Sequence, residues 1–225
     1  LNAMKADVKP PIERIMCGGV LANIYQLFQV GKRYAAGTDT SHGAGQDDAV
    51  TVIKDVVTGY TVADIQTNVL RPEQLAEASV KLLQRYDNPV WGIEDNEWGA
   101  VTLAAAQGLR YPRLYFRDEG KPGWHTDERS RYFLWNDLIE AVSSRLITVP
   151  SREGLAQFYT VIRNPEKNGR IEAQKGAHDD YPMAEGIAWQ LRRYARASSG
   201  ARPARVMDAF SGANRSHAGR GFVRW

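Results

Sequence analysis

Three stretches of this sequence set carboxylates where a metal ligand is held rigidly. The first is the apolar run Tyr34-Ala35-Ala36-Gly37, which ends in Thr38-Asp39-Thr40-Ser41-His42-Gly43. A run of strand length keeps its backbone in a buried sheet while Asp39, near its end, presents a carboxylate to solvent. The second, Val90-Trp91-Gly92-Ile93-Glu94, has the same layout. The third is Lys175-Gly176-Ala177-His178-Asp179-Asp180-Tyr181-Pro182, two adjacent acids ahead of a helix with Met183, Ala184, Ile187, Ala188 and Leu191 inward. Each acid also has a plainer reading. Asp before a Thr/Ser/Gly cluster is common turn chemistry, and Asp at a helix start is a common cap. Only convergence of the three stretches separates these readings.

The elements that must bring them together are legible in outline. After Asp39, Ala49 to Val57 is a β-rich run, Thr58-Gly59 a hairpin turn, and Tyr60 to Gln66 a returning strand, which makes a three-strand antiparallel meander. Arg71-Pro72 opens a helix with Leu75, Ser79, Leu82, Leu83 and Tyr86 on one face, ending before Asp87-Asn88-Pro89. The Glu94 strand follows, then a small-residue helix from Ala100 to Gln107 stopped by Gly108, a fifth strand at Leu114 to Arg117, and a loop or hairpin tip at Asp118 to Thr126 anchored by Trp124. A helix from Asp127 to Ser144 sets Tyr132, Trp135, Leu138, Ile139 and Val142 at core spacing, with Asp127 and Glu128 as dipole partners in its first turn. Leu146 to Val149 reads as an edge strand, Ser151 caps a helix bearing Leu155, Phe158, Tyr159 and Ile162, and Asn164 to Gly169 is a turn.

Three domain segments are expected: 1–30 as a linker or docking segment, 31–196 as the folded domain, and 197–225 as a flexible basic tail. In the first, Ile12, Ile15, Met16, Val20, Leu21, Ile24 and Leu27 have roughly helical spacing, interrupted by Gly18-Gly19 at a cost of about 1 kcal/mol per glycine. In the last, Arg196, Arg202, Arg205, Arg215, Arg220 and Arg224 alternate with Gly, Ser and Ala. With 225 residues, 43% of them hydrophobic, the chain can bury one sizeable core. No window is apolar for long enough to span a bilayer and the N-terminus does not read as a signal peptide, so a soluble intracellular protein is expected. Cys17 is the one cysteine, which excludes an internal disulfide, and no Cys/His spacing suits zinc. A net charge of +3 and a pI near 9.0 are compatible with nucleic acid without establishing it. Gly31-Lys32 lacks the rest of a Walker A loop.

The order of elements, with carboxylates ending the first and fourth strands and starting a late helix, resembles the ribonuclease H fold: an α/β architecture with a mixed sheet, antiparallel meander plus parallel strands, flanked by helices. Gly37-Thr38-Asp39, Trp91-Gly92-Ile93-Glu94-Asp95-Asn96 with Gly99, Gly123-Trp124-His125-Thr126, and Gly176-Ala177-His178-Asp179-Asp180 with Ala184 together resemble the C-terminal nuclease domain of the tailed-bacteriophage terminase large subunit, over roughly Arg33 to Ala195. Tyr181-Pro182 departs from the aliphatic residue expected after the paired acids, and the family's packaging ATPase is not in these residues, which points to an excised or separately encoded domain. The resemblance implies a metal-dependent endonuclease that cuts concatemeric double-stranded viral DNA during packaging, in the cytoplasm of a host bacterium. It implies neighbouring Asp39 and Glu94, with Asp179 or Asp180 approaching from the late helix. Such converging carboxylates repel one another unless a divalent cation neutralises them, and oxygen-only ligands suit Mg²⁺ or Mn²⁺. A two-metal site is implied, with Asp39 bridging. His178 is a candidate for orienting water, or a loop histidine satisfied locally. Lys175 and Arg170 are candidates for holding a phosphate, or solvated surface charges. The packaging ATPase, the small terminase subunit and the portal protein are the implied partners. Two other classes stay open: a non-catalytic DNA-binding or motor-docking module, and an actin-like or sugar-kinase-type ATP-binding domain, recognised by Asp39-Thr40 beside glycine.

Overall fold

The computed structural model describes residues 1–41, 43, 47–117 and 120–199. Its centre is a six-stranded sheet built from β1 (Glu13–Cys17), β2 (Val20–Ile24), β3 (Tyr34–Asp39), β4 (Ala49–Asp55), β5 (Thr61–Thr67) and β6 (Val90–Ile93), in the order β1-β2-β5-β4-β3-β6. The meander β3-β4-β5 is antiparallel, while β6 lies parallel to β3 with Thr38 opposite Ile93. All six residues of β3 are buried, because both sheet faces are covered. Helices α1 (Pro72–Gln84) and α2 (Glu97–Gly108) cover one face through Leu75, Leu82, Leu83 and Leu103. Helices α3 (Glu128–Ser143), α4 (Arg152–Thr160) and α5 (Asp180–Leu191) cover the other through Leu134, Trp135, Leu155, Ile187 and Leu191. A small hairpin of β7 (Val161–Asn164) and β8 (Arg170–Ala173) stands apart from the main sheet.

Several expectations change. Residues 1–30 are not a separate helical linker: β1 and β2 form a hairpin whose second strand pairs with β5, extending the sheet. Gly18 and Gly19, both at positive φ, form its two-residue turn, a backbone conformation that suits the right-handed twist of paired strands. Exposed Met16 and Leu21, opposite each other on the outer face, lent the segment its helical spacing. In α3 the buried face runs through Leu134, Trp135, Leu138 and Ala141, leaving Tyr132 and Ile139 exposed. Ile162 belongs to β7, since the preceding helix stops at Thr160. The expected strands at Leu114 to Arg117 and Leu146 to Val149 contribute isolated bridges, from Leu114 to Trp91 and from Thr148 to Tyr60. At the other end, Ala197 bridges Arg33 and the Ser198 amide donates to the Lys32 carbonyl, so 197–199 are tied to the sheet. The rest of the expected tail, 200–225, lies outside the described residues, as do His42 and residues 118–119. No helix among the described residues is long and apolar enough to cross a membrane.

Candidate metal centre

The register of β3 against β6 builds the first half of the site. With Thr38 opposite Ile93, and the Glu94 amide donating to the Thr38 carbonyl at 2.9 Å, the next residues of the two strands, Asp39 and Glu94, are neighbours at the carboxyl ends of parallel strands. Both are 8% exposed. The Glu94 carboxylate accepts from Asn96 Nδ2 at 2.9 Å, while Asn96 Oδ1 caps α2 by accepting from the Gly99 amide at 2.6 Å. Only glycine fits at 99: a Cβ there would lie 1.7 Å from the Glu94 carbonyl oxygen. Trp124 pins the other side, its amide donating to the Ile93 carbonyl and its carbonyl accepting from the Asp95 amide, each at 2.7 Å.

Burial, then the adjacent Glu94 carboxylate and its hydrogen bond, then Asp180 and Asp179, raise the Asp39 carboxyl well above the usual carboxylate range. Close buried carboxylates disfavour a second negative charge beside the first, and a cation between them would relieve that repulsion. Asp180, the first residue of α5, is pushed up to about 7, chiefly by burial; His178 and the Asp48 amide oppose the shift, while Asp179 and Asp47 add to it.

The adjacent acids of the third stretch have different partners. Asp179 is held by Arg131 of α3, whose Nη2 lies 2.8 Å from its Oδ2. Asp180 Oδ2 accepts from the Asp48 amide at 3.2 Å and so faces the chain between β3 and β4. His178 Nδ1 stands 3.3 Å from Asp47 and 3.8 Å from Asp180, at the margin of the acids. Lys175 is exposed in the turn after β8. Sequence reasoning passed over Asp47, Asp48, Arg131 and Gln157, and named Asn96 only as part of its motif without a role. Gln157 of α4 accepts the Tyr181 amide at 2.8 Å and, through its own amide group, stands 3.5 Å from Asp48 Oδ2. Asp47-Asp48 repeats the paired-acid pattern of Asp179-Asp180, which was its one available signal.

No model of a known protein family matches the chain, and no curated protein matches it. Solved structures do. The large terminase nuclease from thermophilic phage G20c superposes with a TM-score of 0.63 at 15% identity, covering 83% of this chain and 95% of that one. The same nuclease with bound magnesium gives 0.66 at 14% identity, covering 83% and 94%. The large terminase nuclease domain of Thermus phage P74-26 gives 0.61 at 17% identity, covering 84% and 92%. The chain has the fold of a large terminase nuclease domain. In this ribonuclease H-like arrangement the acids sit at the carboxyl ends of the two parallel strands, where open α/β sheets place their ligands.

The donor set fits a hard divalent ion. It consists of carboxylate oxygens, two of them on buried neighbours, and Thr40 Oγ1 beside Asp39 is buried with no hydrogen-bond partner among the described residues. As the side chains stand, no three His, Cys, Asp or Glu residues among the described residues are grouped closely enough to enclose an ion. Asp39 and Glu94 are engaged with each other, and Asp180 is engaged with the Asp48 amide.

Proposed function

We propose that the chain is a metal-dependent DNA endonuclease that cuts concatemeric double-stranded viral DNA during genome packaging. The observation that supports this reading above others is the buried, adjacent pair Asp39 and Glu94, with Asp180 bearing on Asp39 from α5, in a fold shared with solved terminase nucleases. Asp39, Glu94 and Asp180 would hold the metal. Mg²⁺ or Mn²⁺, when bound, supplies a nucleophilic hydroxide and charge stabilisation at the scissile phosphate. Asn96 holds the Glu94 carboxylate, and Arg131 neutralises Asp179 so that Asp180 alone of the adjacent acids serves the site. His178 stands where it can exchange a proton with water near Asp180. The substrate is double-stranded DNA; the packaging ATPase, small terminase subunit and portal protein are the partners, and the host bacterial cytoplasm is the place of action.

The test is cleavage of supercoiled plasmid with Mg²⁺, Mn²⁺ or EDTA by the wild-type chain and by Asp39→Asn. Nicked and linear products are expected from the wild type with either metal and from neither protein with EDTA. The variant keeps its fold, with an equal or higher Tm, because the substitution relieves carboxylate repulsion. Wild-type cutting rates from Asp39→Asn would end the proposal.

A further inference from the structure

Helix α5 crosses β3 at backbone distance. A Cβ at Gly37 would lie 2.1 Å from the Ala184 carbonyl oxygen and 2.6 Å from the Ala188 nitrogen, so the crossing is glycine against alanine. Small residues allow close approach and offer few knobs to stop a helix from sliding along its axis. Besides Ile187 and Leu191, which pack against Gly92 of β6, polar contacts tie α5 to the sheet in that direction. Tyr181 and Glu185, one turn apart on the same face, both reach into the sheet. The Tyr181 hydroxyl donates to Asp64 Oδ2 of β5 at 2.8 Å. The Glu185 carboxylate pairs with the Lys54 ammonium of β4 and accepts from the Thr61 hydroxyl of β5, which in turn accepts from Lys54 Nζ at 2.9 Å. Glu185 Oε2 has no other partner among the described residues. None of Lys54, Thr61, Asp64, Tyr181 and Glu185 is more than 1% exposed.

A buried ion pair is poor value as a stabiliser, since desolvation cancels most of its attraction and well-packed apolar residues often do as well. Its directional demand is what an apolar contact lacks. We propose that Lys54, Glu185, Asp64 and Tyr181 are positioning residues that set where α5 stops along the sheet, and thereby how closely Asp180 can approach Asp39 when a divalent ion binds. Asp180 directly precedes Tyr181, so a shift of the helix along its axis carries the carboxylate with it. The inference rests on the reading of Asp180 as an ion ligand.

The experiment is Mn²⁺ titration by calorimetry in the absence of DNA, with metal-free melting curves, on the wild type, Asp39→Asn, Tyr181→Phe and the double variant Lys54→Met/Glu185→Gln. The double variant keeps side-chain volume and leaves an acceptor for Thr61 while removing both charges. Titrations are run where circular dichroism shows each metal-free variant to be native, so the two seam variants back each other should one fail to fold. Mn²⁺ affinity is expected to fall about 10- to 100-fold in the seam variants, the range for residues that orient ligands, with the melting temperature of the double variant unchanged or raised. Seam variants that fold and bind Mn²⁺ as tightly as the wild type overturn the inference alone. A wild type that does not bind Mn²⁺, or an Asp39→Asn variant that binds it equally well, overturns the parent reading and the inference with it.

Discussion

Asp39 must end a strand that is buried along its whole length and still offer a carboxylate, and the conflict is written in its raised pKa. Asp64 is raised to about 6, chiefly by burial, and Asp180 to about 7. For all three the folded state holds protons that the unfolded chain has already released, so stability falls as pH rises, from about 4 through about 7 for Asp64 and Asp180, with Asp39 acting in the same direction. In EDTA the Tm should therefore be lower at pH 8 than at pH 5. Mn²⁺ should stabilise most at pH 8, where the ligands have lost their protons. A Tm in EDTA that climbs between pH 5 and 8 would contradict the assignment of these groups. Asn96 does two jobs that substitution can separate. Asn96→Ala should lose about 1 kcal/mol of cap, ~2–4 °C in Tm, together with about tenfold in Mn²⁺ affinity. Asn96→Asp keeps a capping oxygen and loses the donor to Glu94, so its Tm should recover while its Mn²⁺ affinity does not. Equal recovery of both would show that Asn96 acts through α2 alone.

The contact between α5 and β3 sets how closely the helix that begins at Asp180 lies on the strand that ends at Asp39. Gly37→Ala places a methyl against helix backbone that has no rotamer to yield, and should cost roughly 3 kcal/mol, ~6–12 °C in Tm. Thermal melting checks this, and a variant within about 2 °C of wild type would show that α5 has room to lift. Gly37-Thr38-Asp39 was legible as a motif, but the reason for its glycine was not, because the atom it must avoid belongs to Ala184, in a helix much later in the chain. The β1-β2 hairpin was misread for a related reason. Period-two alternation of Ile15 and Cys17, then of Val20, Ala22 and Ile24, was masked by apolar residues left on the outer face.

For the whole molecule, the assignment of 1–30 as an appendage is directly testable. Deleting residues 1–30 removes Ala22, Ile24 and Tyr25 from the core, takes the Asn23 and Tyr25 donors from buried Asp64, and bares the edge of β5. Burial of one large apolar side chain contributes about 2 kcal/mol, and an unsatisfied buried acceptor costs about 1–3 kcal/mol. A Tm drop of more than about 10 °C, or loss of soluble protein, is expected; a truncated chain that melts within about 2 °C of the full one would restore the appendage reading. The sequence by itself determined the meander and the two apolar strands that end in acids, because burial on both faces and turn chemistry are properties of contiguous residues, while their parallel pairing was implied only by the family resemblance. Tertiary structure alone decided that the adjacent acids take different partners, Asp179 the Arg131 guanidinium and Asp180 the Asp48 amide, since successive residues at a helix start diverge by about 100° and the sequence does not say which way each turns. Asp48 lies 132 positions from Asp180 and Arg131 lies 48 from Asp179. Contacts at that range depend on how whole elements pack, and local periodicity carries no record of it.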